Sequence, residues 1–133
     1  MSLSTFAPNV GGTTSTAGGS ATNLIQKSNN GKKAEFILDD GATYLLQTEI
    51  DFSIVEPVIK PAAPNGYTQK RNTVFVKVPK VLANTNRTVN TYKLETAVDV
   101  ETSEAEFTAG LNLLVQAVVD AAVADFRNKQ SIM

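Results

Sequence analysis

Within the run from Asn72 to Val81, valines stand at every second position from 74 to 78. Val74, Val76 and Val78 take one parity and Thr73, Phe75 and Lys77 the other, the period-2 pattern of a strand. Pro79 cannot donate to a sheet ladder and is expected to close it. A second alternating run, Tyr44 to Val58, precedes it. Tyr44, Leu46, Ile50, Phe52, Ile54 and Val58 share one parity, and Gln47, Glu49, Asp51 and Ser53 share the other, which predicts one buried and one polar face. Pro61 to Gly66 forms a stiff loop ending in Asn-Gly, so the strand Tyr67 to Pro79 returns antiparallel.

Shorter strands are predicted over Asn23–Ser28 and Lys33–Leu38. Between them, Asn30-Gly31 offers the left-handed conformations of a type I′ hairpin. Asp39-Asp40-Gly41 reads as a turn, and so does Asn84 to Arg87. Thr88 to Glu101 alternates again, with Tyr92, Leu94, Val98 and Val100 against Lys93, Glu95, Asp99 and Glu101. Residues 1–23 are rich in Ser, Thr, Gly and Ala and read as a small-residue hairpin or a flexible arm.

The period changes at Thr102-Ser103. Ser103 and Glu106 form the Ser-x-x-Glu capping box, and Glu104 and Glu106 suit the positive end of a helix dipole. Phe107, Leu111, Leu114, Val118 and Ala122 recur at helical spacing. Leu113, Val115, Val119, Val123 and Phe126 widen the apolar surface beyond one stripe. A straight helix of about 26 residues would be roughly 39 Å long. That is long for a domain of 133 residues, so one helix, or two with a break between Gly110 and Asp120, both fit the pattern. Leaving so many apolar side chains in water would cost several kcal/mol at about 25 cal/mol per Å². A partner surface is implied, most simply a second copy of the chain.

Composition narrows the chemistry. The chain has no cysteine and no histidine, which removes thiolate nucleophiles, disulfides and the commonest general base and metal ligand. No phosphate-binding glycine fingerprint is present, and Asp39-Asp40-Gly41 matches no calcium-loop spacing. The opening residues lack a basic segment followed by an apolar one, so no signal peptide is expected. The expectation is a non-enzyme without cofactor, catalytic residue or metal site.

The net charge of -1 hides a segregation. Lys60, Lys70, Arg71, Lys77, Lys80, Arg87 and Lys93 lie in an interval, 57–94, that has no acidic residue. The interval 95–125 has acidic residues and no basic one. The basic block leaves nucleic acid open as a partner; solvation and attraction between the halves are the alternative. Glu49 and Asp51 on one strand face read as solvated charges pairing with Arg71 or Lys77 across the hairpin.

Tyr67, Gln69, Arg71, Thr73, Phe75 and Lys77 alternate aromatic, basic and hydrogen-bonding side chains along one strand face. Sheets that bind single-stranded RNA use this mixture, aromatics to stack bases and cations to meet phosphates. The competing reading puts Phe75 under the N-terminal arm.

The order of elements, a small-residue hairpin, an antiparallel meander and a C-terminal apolar helix, resembles the coat proteins of single-stranded RNA bacteriophages (leviviruses). The likeness spans the chain, and its most specific piece is Phe75-Val-Lys-Val-Pro-Lys-Val81. The passage from Tyr92 through Thr102-Ser103 into the helix is similar too. The resemblance implies an α+β fold: an N-terminal hairpin (1–23), a five-stranded antiparallel sheet (24–101) and a helical region (102–128). These would form a single coat-protein domain, 1–133, in an interlocked dimer. It also implies an icosahedral shell in the virion, assembled in the bacterial cytoplasm, with no membrane partner. Single-stranded genomic RNA would lie on the inner sheet face, where a bound hairpin represses replicase translation. By strand position the RNA-facing residues are Arg71, Thr73, Phe75 and Lys77, with Ser53 on the neighbouring strand and Thr91 and Lys93 on the last. The sequence departs from the family at Glu49 and Asp51, where basic and small hydroxyl residues are usual. The rival expectation is a small dimeric cytosolic binding module that does not assemble.

Overall fold

The computed structural model describes residues 7–8, 19 and 21–129. Most of the expected N-terminal hairpin or arm lies outside the described residues. Two compact units emerge, one of residues 19–100 and one whose described part is chiefly 101–129.

The first unit is a five-stranded antiparallel meander: β1 (Leu24–Asn29), β2 (Lys33–Leu38), β3 (Glu49–Val55), β4 (Lys70–Val81) and β5 (Arg87–Val98), adjacent in chain order. Register puts Ile50, Val76 and Tyr92 in one row across the sheet and Phe52, Val74 and Leu94 in the next. This is the apolar face, where the Phe36 and Phe52 rings meet edge to face at 5.8 Å.

Several boundaries differ from the sequence pattern. Tyr44–Leu46 is a 3-10 turn closed by Leu46 N–H donating to the Thr43 carbonyl at 2.8 Å, so β3 begins only at Glu49. β3 ends at Val55 rather than Val58, because Pro57 lacks an N–H and holds Glu56 out of further pairing. β4 starts at Lys70, not Tyr67, and runs through Pro79 to Val81. β3 pairs with β4 only as far as Lys77, so Pro79 sits where β4 is an edge on that side and a missing donor is tolerated. The β1–β2 turn is not type I′, which needs two left-handed residues. Only Gly31 has a positive φ there, 85°, and the Asn29 and Asn30 side-chain oxygens accept from the N–H groups of Gly31, Lys32 and Lys33.

The second unit contains α1 (Glu104–Val119), a 3-10 turn (Ala121–Val123) and α2 (Ala124–Lys129). Ser103 caps α1 in the expected box: its hydroxyl accepts from Glu106 N–H at 3.2 Å, and the Glu106 carboxylate accepts from Ser103 N–H. The helix is broken, and the break falls at Asp120, whose backbone is extended (ψ 145°). The β-branched pair Val118-Val119 weakens the helix before it. The Asp120 carboxylate then caps the next turn by accepting from Ala122 N–H at 2.8 Å. Arg127 donates to the carbonyls of Val118 and Asp120 and secures the corner.

Burial departs most from expectation. Among the described residues only Ala122, Val123 and Asp51 are buried. Phe52 and Ile54, on the face expected to be buried, are each 42% exposed. The one buried residue of the sheet is a carboxylate on the polar face. α1 has no buried residue, and Val118 and Val119 stand open.

Replacing Ser103 with alanine should cost about 1 kcal/mol of stability, with aspartate recovering most of it. Urea unfolding of the three proteins checks this, and equal stability would mean that the cap contributes nothing.

Candidate nucleic-acid interface

The opposite face of the sheet is built from rows fixed by strand register. One row holds Lys33, Ser53, Thr73 and Glu95; the next holds Glu35, Asp51, Phe75 and Lys93; a third holds Ile37, Glu49, Lys77 and Thr91. Arg71 lies beyond the first, between Val55 and Ala97. All seven residues nominated from the sequence, Ser53, Arg71, Thr73, Phe75, Lys77, Thr91 and Lys93, therefore share one face. Sequence reasoning did not nominate Lys27, Lys33, Glu35 or Glu95. Parity alone would have added Glu95, which follows Thr91 and Lys93 at the same spacing. Lys27 shares parity with Ile25, which pairs with Ile37 of the third row, so alternation along β1 already places it on this face.

Phe75 lies near the middle of an open depression of about 370 Å³ lined by Lys33, Asp51, Ser53, Thr73, Phe75, Lys77 and Lys93. The Lys77 ammonium stands 5.4 Å from the Phe75 ring centroid, within cation–π range. An aromatic ring among hydroxyls and ammoniums has the parts that hold a stacked base and its phosphate.

The cations are not idle. Lys77 Nζ lies 3.1 Å from Glu49 Oε2 and 3.4 Å from Asp51 Oδ2. Lys27 takes the other Glu49 oxygen at 3.3 Å. Arg71 and Lys93 flank Glu95 at 3.7 and 3.4 Å, and Lys33 meets Glu35 at 3.2 Å. Pairing with Lys77 follows expectation, whereas Arg71 turns to Glu95 instead of Glu49 or Asp51. Burial pushes the Glu49 carboxyl up, but hydrogen bonds from Lys77 and Lys27 outweigh it, leaving its pKa below the usual glutamate value. The same carboxylate raises both lysines.

Carboxylate oxygens of Glu35, Glu49 and Asp51 lie within 4.8 Å of one another, close enough to hold a cation. Each of the three side chains already meets a lysine, so the cluster reads as an ion-pair network. Asp51 Oδ1 is buried and without a hydrogen-bond partner.

No protein-family model matches the sequence, and no curated protein matches it. Solved structures do. The protein in the virus-like particle of bacteriophage GQ-907 superposes with a TM-score of 0.85 at 17% identity, over 99% of this chain and 100% of that one. That of bacteriophage AVE019 gives 0.64 at 13% identity, over 89% and 91%. That of bacteriophage ESE058 gives 0.56 at 8% identity, over 85% and 97%. The chain has the fold of these bacteriophage particle proteins, a five-stranded antiparallel sheet followed by C-terminal helices.

The lowered Glu49 pKa sets a pH dependence. A carboxylate depressed in the folded state contributes stability above its unfolded pKa and loses it as pH falls through the folded one. The stability advantage of the wild type over Glu49→Gln should therefore shrink between about pH 5 and about pH 3. Urea unfolding across that range checks it, and an advantage that grew on acidification would contradict the pairing.

Proposed function

We propose that this chain is the coat protein of an RNA bacteriophage, a non-enzymatic subunit that dimerises, assembles into an icosahedral shell and packages single-stranded RNA. The observation that carries the reading is the end-to-end likeness to the GQ-907 particle protein, which leaves almost no residue of either chain unmatched. The chain is one coat-protein domain, assembled in the bacterial cytoplasm and located in the virion.

The exposed surfaces support the same reading. The apolar sheet face carries Phe52, Ile54 and Tyr92, and the helical unit carries Leu113, Leu114, Val118 and Val119, all exposed in the single chain. A second copy offers the same surfaces in return, and interlocked helices would cover them. β5 is a 12-residue edge strand, whereas β1 is six residues long and bulged. β5 is thus the better edge for pairing two sheets into one. The depression around Phe75 would then face the shell interior and receive RNA through Ser53, Arg71, Thr73, Phe75, Lys77, Thr91 and Lys93. A hairpin bound there would repress replicase translation.

Light scattering with absorbance at 260 and 280 nm tests the proposal. Particles on the megadalton scale with a nucleic-acid spectrum are expected. A species of about twice the 14.2 kDa chain mass, free of RNA and never assembling, would favour the dimeric binding module. Replacing Arg71 and Lys77 together with alanine should lower RNA retention and flatten its salt dependence, by about 0.7 in log–log slope for each phosphate no longer neutralised. An unchanged slope would reject their role.

A further inference from the structure

The acidic residues of the candidate RNA face are placed between its cations rather than apart from them. Glu49 bridges Lys27 and Lys77, one ammonium to each oxygen, at 3.3 and 3.1 Å. Glu95 bridges Arg71 and Lys93, again one to each oxygen, at 3.7 and 3.4 Å. Two carboxylates thus tie up four of the cations that phosphates would seek. The bridges come from opposite sides of β4: Glu49 on β3 and Glu95 on β5 lie across the sheet from Lys77 and Thr73 respectively.

We propose that Glu49 and Glu95 are affinity-setting residues that compete with RNA phosphate for the basic side chains of the sheet face. This rests on the RNA-binding reading and specifies its chemistry. Binding there is an exchange, in which phosphate takes an ammonium or guanidinium from a carboxylate and the carboxylate returns to water. Each exchange replaces one ion pair with another, so its net gain is small, as for solvent-accessible pairs generally. A lone phosphate is then a poor ligand. A strand that meets several cations at once, with a base stacked on Phe75, binds better with each cation after the first. The face therefore favours a continuous RNA held in register over short or scattered anions. The freed carboxylates also recruit salt cations, which lowers the salt dependence relative to an unpaired basic face of the same size.

The test is binding of a fluorescent oligouridylate to the full-length, RNA-stripped protein over a range of KCl concentrations. The proteins compared are the wild type, Glu49→Gln, Glu95→Gln, Lys77→Ala and the Glu49→Gln/Lys77→Ala double variant. Glu49→Gln should tighten binding about fivefold at low salt, the worth of one exposed ion pair. It should also steepen the slope by about 0.7, the worth of one phosphate neutralised on a single strand. Glu95→Gln should act in the same direction. The Glu95 side chain is 39% exposed, so this variant keeps the test alive if Glu49→Gln does not fold. Lys77→Ala should cost more affinity in the Glu49→Gln background than in the wild type, because there the ammonium keeps only its longer contact, to Asp51 at 3.4 Å. Glu56→Gln removes the same charge beyond the end of β3 and should change affinity less than either.

Wild-type binding that neither glutamine variant tightens, or additive effects of Glu49 and Lys77, would overturn the competition and leave the RNA-binding reading standing. No oligouridylate binding by any of these proteins would overturn both.

Discussion

A sheet one layer thick cannot bury either of its faces by itself. Within residues 19–100 the five strands are hydrogen-bonded edge to edge, and register sorts their side chains onto two sides. The apolar side has the Phe36–Phe52 contact and the valines of β4, yet its large side chains remain partly or largely exposed. The helical unit has the same deficit, with two buried residues among those described. At about 25 cal/mol per Å² such surface strongly favours association. Among the described residues, neither unit encloses its apolar surface by itself.

The other face follows from the same period-2 geometry. Each strand delivers every second residue to it, and register brings Ser53, Phe75, Lys77 and Lys93 from three strands to one depression. Carboxylates arrive by the same rule. Glu49, Asp51 and Glu95 stand in the same rows as the cations, so the face is internally paired before any ligand arrives. Apolar and charged side chains therefore divide between the two sides of one sheet.

Much of this was legible in the sequence. Strand parity placed all seven nominated residues on one face, because alternation survives small errors in where a strand begins. The capping box at Ser103 was legible from local chemistry, whereas the helical run fitted one helix or two and only the structure puts a break at Asp120. Strand ends were less legible. Tyr44–Leu46 fits the alternation but closes a 3-10 turn, and Pro79 stays within β4 because β3 has already ended beside it. These depend on neighbours distant in sequence. The pairing of Lys27 with Glu49 and of Arg71 with Glu95 depends on register too, whereas Lys33 and Glu35 meet by alternation within β2. Burial was the largest miss, because alternation shows which face is apolar but not whether one chain is enough to cover it.

The central claim is that the chain completes its core only with a second copy. Equilibrium urea unfolding of RNA-stripped protein at concentrations spanning a hundredfold tests it most directly. Folding coupled to dimerisation predicts a midpoint that rises with concentration, with about 2.7 kcal/mol of added apparent stability over that span. A single cooperative transition whose midpoint ignores concentration, from a species of one chain mass, would contradict it.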